Sequence, residues 1–189
     1  MPRRWRVPES GVADSSGIAV ALVHHPVLNR LGETSTTAIT SIDIHDFVRT
    51  CAFYDVGPVY IVHPADGMHA LVADMTRYWQ EGAGSVRNPG RTESLAGLRM
   101  VRRLEDVLED ADYTLWYTSA KPPENSMREV RELSGIPGRH LLVFGTGSGL
   151  DAKSLPTPNG WLSPVAGIGK VRHLSVRAAL AIYLDRLRR

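Results

Sequence analysis

Cysteine is nearly absent from this 189-residue chain. Cys51 stands alone, so no intrachain disulfide can form, which fits a reducing compartment and gives the expectation of a cytoplasmic protein. Long apolar runs are missing as well: none approaches the ~20 residues a membrane span needs. The basic opening Met1-Pro2-Arg3-Arg4-Trp5-Arg6 has no apolar stretch behind it, so it is not expected to be a signal peptide. Lysine is scarce, Lys121, Lys153 and Lys170 being the only three. The basic character is therefore carried by arginine, whose planar fork suits phosphate, although a compositional bias would give the same excess. A formal net charge of only +2 does not by itself mark a nucleic-acid binder. There is no internal repeat, no coiled-coil heptad, no Ser/His/Asp arrangement and no cluster with metal-ligand spacing, so no metal is expected.

What is present suits one globular domain: 43% hydrophobic and 22% charged residues in a length that supports a core. Residues 1–17 are polar and aperiodic and read as a flexible extension, with a single domain over 18–189. Ile18 to Val23 is a continuous apolar run, hence a buried parallel strand, and Val59 to Val62 is a second. The connection from His24 to Thr37 lies where open α/β sheets bind ligands. In it, Asn29 either orients a substrate or caps a turn. Thr40 and Asp43 form a helix start signal, and Ile44, Phe47, Val48, Cys51 and Ala52 recur at helical spacing. His45, Asp46 and Arg49 fall on another face, where Asp46 and Arg49 can make a weak surface pair.

Met68 to Trp79 reads as an amphipathic helix with Leu71, Val72, Met75, Tyr78 and Trp79 on its buried side. Residues 82–93 read as a loop, Met100-Val101 as a short strand, and Leu104 to Leu108 as a short helix. Tyr113 to Thr118 is β-rich, and residues 126–133 read as a helix ended by Gly135 and Pro137. Leu141 to Phe144 is another buried strand. It runs into Gly145-Thr146-Gly147-Ser148-Gly149, where glycine lets backbone approach a ligand, a pattern equally compatible with a strand-to-helix turn that binds nothing. Val176, Leu180, Tyr183, Leu184 and Leu187 make the apolar stripe of a C-terminal helix. Strands alternating with helices imply an α/β fold with a mostly parallel sheet flanked by helices.

Three segments taken together, in their order and spacing, resemble a known family. They are Asp43 to Ala52, Phe144 to Gly149, and Trp161 to Val165 followed by Arg172 to Leu184. The chain resembles the SPOUT class of S-adenosylmethionine (SAM) dependent RNA methyltransferases, nearest a small bacterial branch. Members of that branch open as His24-His25-Pro26-Val27-Leu28-Asn29 and Thr36-Thr37-Ala38-Ile39 do here. The resemblance implies a C-terminal trefoil knot, which general rules of chain topology would not predict. It also implies SAM as cofactor, tRNA or rRNA as substrate, and a homodimer in which the partner subunit completes each site; a patch of Trp161, the C-terminal helix and helix 43–54 could supply that contact, or their apolar residues could all be core.

Cofactor contacts would come from Thr118, Ser119 and Ala120, from Phe144, Gly145, Thr146, Gly147 and Gly149, from Leu162 and Pro164, and from His173, Leu174, Ser175 and Val176. Ser175 also reads as the cap of the last helix. Arg49 matches the catalytic arginine of the first motif. Asp43 and His45 replace the usual asparagine and glycine, so Asp43, His45 or Asp46 are the candidate bases, with Asn29 beside them. Two alternatives stay open: a knotted methyltransferase acting on a small molecule or protein, and a SAM-binding module without catalysis.

Overall fold

An apolar run closed to water on both faces can only be a strand inside a covered sheet. The computed structural model of the chain describes residues 17–123 and 127–189 and places six such residues in β1 (Ile18–Val23). A hairpin of β2 (Val27–Leu28) and β3 (Thr34–Ser35) follows, then α1 (Ser41–Phe53), β4 (Val59–Val62) and α2 (Asp66–Gln80). Next come α3 (Ala83–Arg87), α4 (Pro89–Leu95), β5 (Leu98–Val101), α5 (Leu104–Asp110) and β6 (Thr114–Tyr117). The chain ends with β7 (Met127–Arg128), a 3-10 turn (Val130–Gly135), β8 (His140–Gly145), β9 (Gly160–Leu162) and α6 (Val176–Arg188). The extension expected over residues 1–17 lies outside the described residues except for Gly17.

Seven strands form one parallel sheet in the order β5-β4-β1-β8-β6-β9-β7. Successive residues of β1 face opposite sides. Val20 and Leu22 join Leu142, Phe144 and residues of α1 and α6 in one core; Ala19, Ala21 and Val23 join Leu141, Val143 and α5 in the other. Helix α1 starts at the expected cap. The Thr40 hydroxyl accepts from the Asp43 amide at 3.2 Å, and the Asp43 carboxylate accepts from the Thr40 amide at 3.3 Å. Ile44, Phe47, Val48 and Cys51 are buried as their spacing requires, but Ala52 is exposed.

Three local expectations are corrected. Residues 82–93 are largely helical rather than a loop. Asn88 caps α4 by accepting from the Arg91 amide at 3.2 Å, Pro89 supplies a helical first residue, and Gly84 packs where a Cβ would strike the Trp79 side chain. The helix expected over 126–133 is instead strand β7 and the 3-10 turn, because the chain pairs with β9 at Met127 and Arg128 before Val130 and Leu133 turn into the core; Ser126 lies outside the described residues. On α2 only Val72 is fully buried. Met75 and Trp79 are partly covered, while Leu71 and Tyr78 are 42% and 44% exposed.

His140 opens β8 with both ring nitrogens engaged. Nε2 donates to the Ile136 carbonyl at 3.0 Å, and Nδ1 accepts from the Trp116 indole N–H at 3.1 Å. The ring is buried, so truncation orphans a donor and an acceptor that water cannot reach. We predict that His140→Ala lowers the free energy of unfolding by ~2–4 kcal/mol in urea titrations. A loss below ~1 kcal/mol would show that neither bond matters to stability.

Candidate active site

The parallel register that pairs Val23 with Gly145 brings the carboxyl ends of β1 and β8 side by side. The sheet order runs one way from β1 through β4 to β5 and the other way through β8 and β6, so these ends flank the switch point where open α/β sheets form a crevice. A cavity of about 1220 Å³ lies there. Common small-molecule pockets span ~300–1,000 Å³, so this one has room for a cofactor and part of a second molecule.

Most of the residues expected to hold a cofactor line this single cavity. Thr118, Ser119 and Ala120 follow β6; Phe144, Gly145, Thr146, Gly147 and Gly149 end β8; His173, Leu174, Ser175 and Val176 lead into α6. Ser175 also caps α6, accepting from the Ala178 amide at 3.3 Å. Leu162 and Pro164 do not line it. Leu162 is fully buried in the core, and Val165 supplies the wall instead. Arg49, His45, Asp46 and Asn29 also lie off the cavity. Its lining also includes residues that sequence reasoning gave no cofactor role: His24, Arg30, Thr37, Ala38 and Asp43.

No helix follows the glycine loop; the chain returns instead to β9. The first two glycines are glycine because protein packs against them. A Cβ on Gly145 would lie 2.7 Å from the Leu150 amide nitrogen, and one on Gly147 would lie 2.9 Å from the Leu28 carbonyl. Gly147 and Gly149 also sit at positive φ, +60° and +115°, which favours glycine, and around Gly149 nothing lies within 4 Å of the Cβ position. The loop is stitched to the β2–β3 hairpin by Leu28 N–H to the Gly149 carbonyl at 2.9 Å and Ser148 N–H to the Leu28 carbonyl at 2.8 Å. Asp151 accepts from the Thr34 and Ser154 hydroxyls at 2.6 and 2.8 Å, and the Thr34 bond foremost holds its carboxyl below the usual carboxylate range.

His24 follows β1 directly and is wholly buried. Its Nδ1 lies 3.0 Å from the Thr37 hydroxyl, which contacts the Thr146 hydroxyl; Thr146 in turn donates to the Val23 carbonyl at 3.1 Å. Its Nε2 is buried without a hydrogen-bond partner. Burial pushes the imidazole down to about 4, against the attraction of Asp43. The sequence clue was modest: a histidine placed immediately after a buried strand.

The first-motif residues divide between two places. Asp43 turns inward, accepting from Arg177 Nη1 at 2.7 Å, while Arg177 Nε reaches Asp46 at 3.6 Å. Arg177 thereby takes the role expected of Arg49 in pairing Asp46 and ties α6 to α1. Arg49 is exposed and makes no ion pair among the described residues. His45 stands edge-on to Trp79 with ring centroids 5.6 Å apart, and the Arg91 guanidinium lies 4.3 Å over the same indole. Desolvation, then Arg91 and Arg49, lower the His45 pKa. Asn29 serves its turn: its side-chain oxygen accepts from the Leu31 and Glu33 amides at 2.8 and 3.0 Å, and its amide donates to Glu33.

The cavity suits a molecule with an apolar body and a polar tail. Phe144, Leu174 and Val176 offer apolar surface, loop backbone offers donors and acceptors, and Arg172 and Lys121 offer positive charge. Among the described residues, no group of acidic, histidine or cysteine side chains is spaced to hold a metal ion, and no helix is long and apolar enough to cross a membrane.

Comparison with known proteins agrees with this geometry. The sequence model of a SAM-dependent RNA methyltransferase family matches residues 17–189. The chain is 36% identical over 178 residues to a tRNA (guanine-N(1)-)-methyltransferase of Nitratidesulfovibrio vulgaris, covering 88% of this chain and 41% of that protein. It therefore spans about two fifths of that relative's length. It is 32% identical over 182 residues to an uncharacterized protein of Aquifex aeolicus, covering 92% of this chain and 89% of that one. Among solved structures, the A. aeolicus TrmH/SpoU tRNA modifying enzyme aligns with a TM-score of 0.56 at 17% identity, covering 92% of this chain and 74% of that chain. An AdoMet-bound rRNA methyltransferase from Sinorhizobium meliloti aligns at 0.57 and 14%, covering 90% of this chain and 55% of that chain. These likenesses place the fold among the SPOUT methyltransferases.

The depressed imidazole of His24 has a consequence for stability. Its folded value of about 4 lies below the ordinary 6.5, so the unfolded chain binds more protons between those values. We predict that this group leaves stability untouched above pH 6.5 and lowers it progressively as pH falls to about 4, by ~3 kcal/mol in all. Urea unfolding of wild type and His24→Gln across this range checks it. The variant should show the shallower slope, and equal slopes would refute the linkage.

Proposed function

Since the chain belongs to the SAM-dependent RNA methyltransferase family, we propose that it transfers the methyl group of SAM to RNA, with tRNA the first substrate to test. The observation that carries this reading is the single cavity at the carboxyl ends of β1, β8 and β6, into which three separate loops converge. Bound SAM supplies an electrophilic methyl group on a good leaving group, which leaves the protein to position the acceptor and manage its proton.

In this reading the backbone of residues 118–120, 144–149 and 173–176 holds the cofactor, with Phe144, Leu174 and Val176 around its apolar part. Leu162 and Pro164 support the wall from behind. Arg49, with Arg91 and His45 near it, forms a positive face with no carboxylate paired to Arg49 or Arg91 among the described residues, suited to a phosphate of the RNA backbone. The passage of the chain from β8 across β6 to β9, before α6 returns to pack near α1, supports the trefoil knot. Residues 18–189 then form one catalytic domain.

We further propose a homodimer. Ile168 and Val171, 107% and 70% exposed, and Leu174 at the cavity's edge form an apolar margin that a second copy would cover. A dimer at micromolar concentration in sedimentation experiments is expected; a monomer would contradict it.

Arg49 tests the RNA-contact part of the reading. With labelled SAM and total tRNA, Arg49→Ala should lose about 10²-fold or more in transfer while keeping its fold and SAM affinity. Arg49→Lys keeps charge without the planar fork and should recover only part. Full activity of Arg49→Ala would remove the assignment. No transfer to any RNA by the wild type would remove the proposed function.

A further inference from the structure

We propose that His24 is the proton acceptor of the reaction, its Nε2 taking the N–H or O–H proton of the nucleotide group that receives the methyl. The inference rests on the RNA methyltransferase reading and names the base within that site. It starts from counting protons along the hydroxyl chain. The Thr146 hydroxyl can give its single proton to the Val23 carbonyl, and in that arrangement its oxygen accepts from Thr37. Thr37 has then spent its own proton, so its oxygen must accept from His24 Nδ1. In that arrangement, which the proposal adopts, His24 carries its proton on Nδ1 and has a bare lone pair at Nε2. That nitrogen is buried, has no hydrogen-bond partner, and belongs to a residue that lines the same cavity as the proposed cofactor loops.

The competing bases are less well placed. Buried and unpartnered polar atoms among the described residues are His24 Nε2, His45 Nδ1 and Arg91 Nε, and only His24 lines the cavity. His45 lies against Trp79 beside two guanidinium groups, which oppose its protonation. Asp43 and Asp46 are engaged by Arg177.

The step balances without another reactant. The acceptor's lone pair forms the bond to the methyl carbon, the sulfur keeps the electron pair of the broken carbon–sulfur bond, and the acceptor's proton passes to Nε2. As the acceptor bonds to carbon it gains positive charge and its proton becomes acidic, so a weak base suffices. The groups facing His24 fix its character. Burial keeps it neutral, the Asp43 carboxylate of α1 and the backbone at Thr37 and Ala38 favour the imidazolium once formed, and His63, 6.3 Å away after β4, opposes it.

Two measurements test the proposal. Nitrogen-15 NMR of the wild-type chain at neutral pH should find His24 protonated at Nδ1 and bare at Nε2; a proton on Nε2 would overturn it. In parallel, His24→Gln is compared with wild type for SAM affinity by calorimetry and for transfer to RNA across pH. The variant should bind SAM within about twofold. It should transfer methyl about 10²-fold more slowly, and the wild type's decline in rate below about pH 5 should vanish. Full-rate transfer by His24→Gln would overturn this inference alone. SAM affinity falling in step with rate would also overturn it, assigning the residue to the cofactor. A wild type that methylates no RNA would overturn the functional reading and this inference together. If the variant does not fold, the NMR result decides.

Discussion

The pairing of β1 with β8 is the constraint from which the site follows. Six consecutive parallel partners, from Ile18 with His140 to Val23 with Gly145, fix where both strands stop. Because they stop together, His24 and Thr146 meet at one edge, and Thr37 reaches between them. A slip of one residue would turn every side chain of β1 to the wrong face of the sheet. The same slip would break the hydroxyl chain, so core packing and site geometry obey one register.

Helix α1 has two chemistries on its polar sides. Toward α6 it is acidic, with Asp43 and Asp46 held by Arg177. Toward α2 and α4 it is basic, with Arg49 and the Arg91–Trp79 stack around His45. The acidic side seats the segment entering α6 beside the cavity, and the basic side looks away from it. The separation gives one helix a part in closing the cavity while keeping Arg49 and Arg91 clear of the carboxylates that Arg177 engages.

Much of the fold was legible because it depends on local pattern. Buried strands announce themselves as unbroken apolar runs, and Thr40 with Asp43 marks the start of α1 by a capping exchange that needs no tertiary context. That three loops converge was legible through resemblance and spacing, and twelve of the fourteen residues proposed to hold SAM line one cavity, Leu162 and Pro164 being the exceptions. What the sequence hid is long-range. That Arg177 pairs Asp43 and Asp46, or that Thr37 bridges His24 and Thr146, depends on residues more than a hundred positions apart along the chain. The glycines were legible as a loop but not in their reason: Gly145 and Gly147 are small because Leu150 and Leu28 press against them. Helices α3 and α4 hid behind glycine, proline and asparagine, which normally interrupt helices and here cap and start them.

The place of β8 in the sheet also governs how the protein is born. Ile18 finds its partner only when His140 has left the ribosome. At ~5–20 residues per second, a nascent β1 waits about 6 to 24 seconds with one edge unpaired, while β4 and β5 can already assemble on the other. Strand β6 emerges earlier than β8 but must leave a gap for it, since the two pair side by side along Thr114 to Tyr117. The centre of the sheet is thus completed only with β8, and an open apolar edge is carried while everything between β1 and β8 is synthesised. Such a chain folds late and slowly for its size and stands to gain from a chaperone that shields that edge.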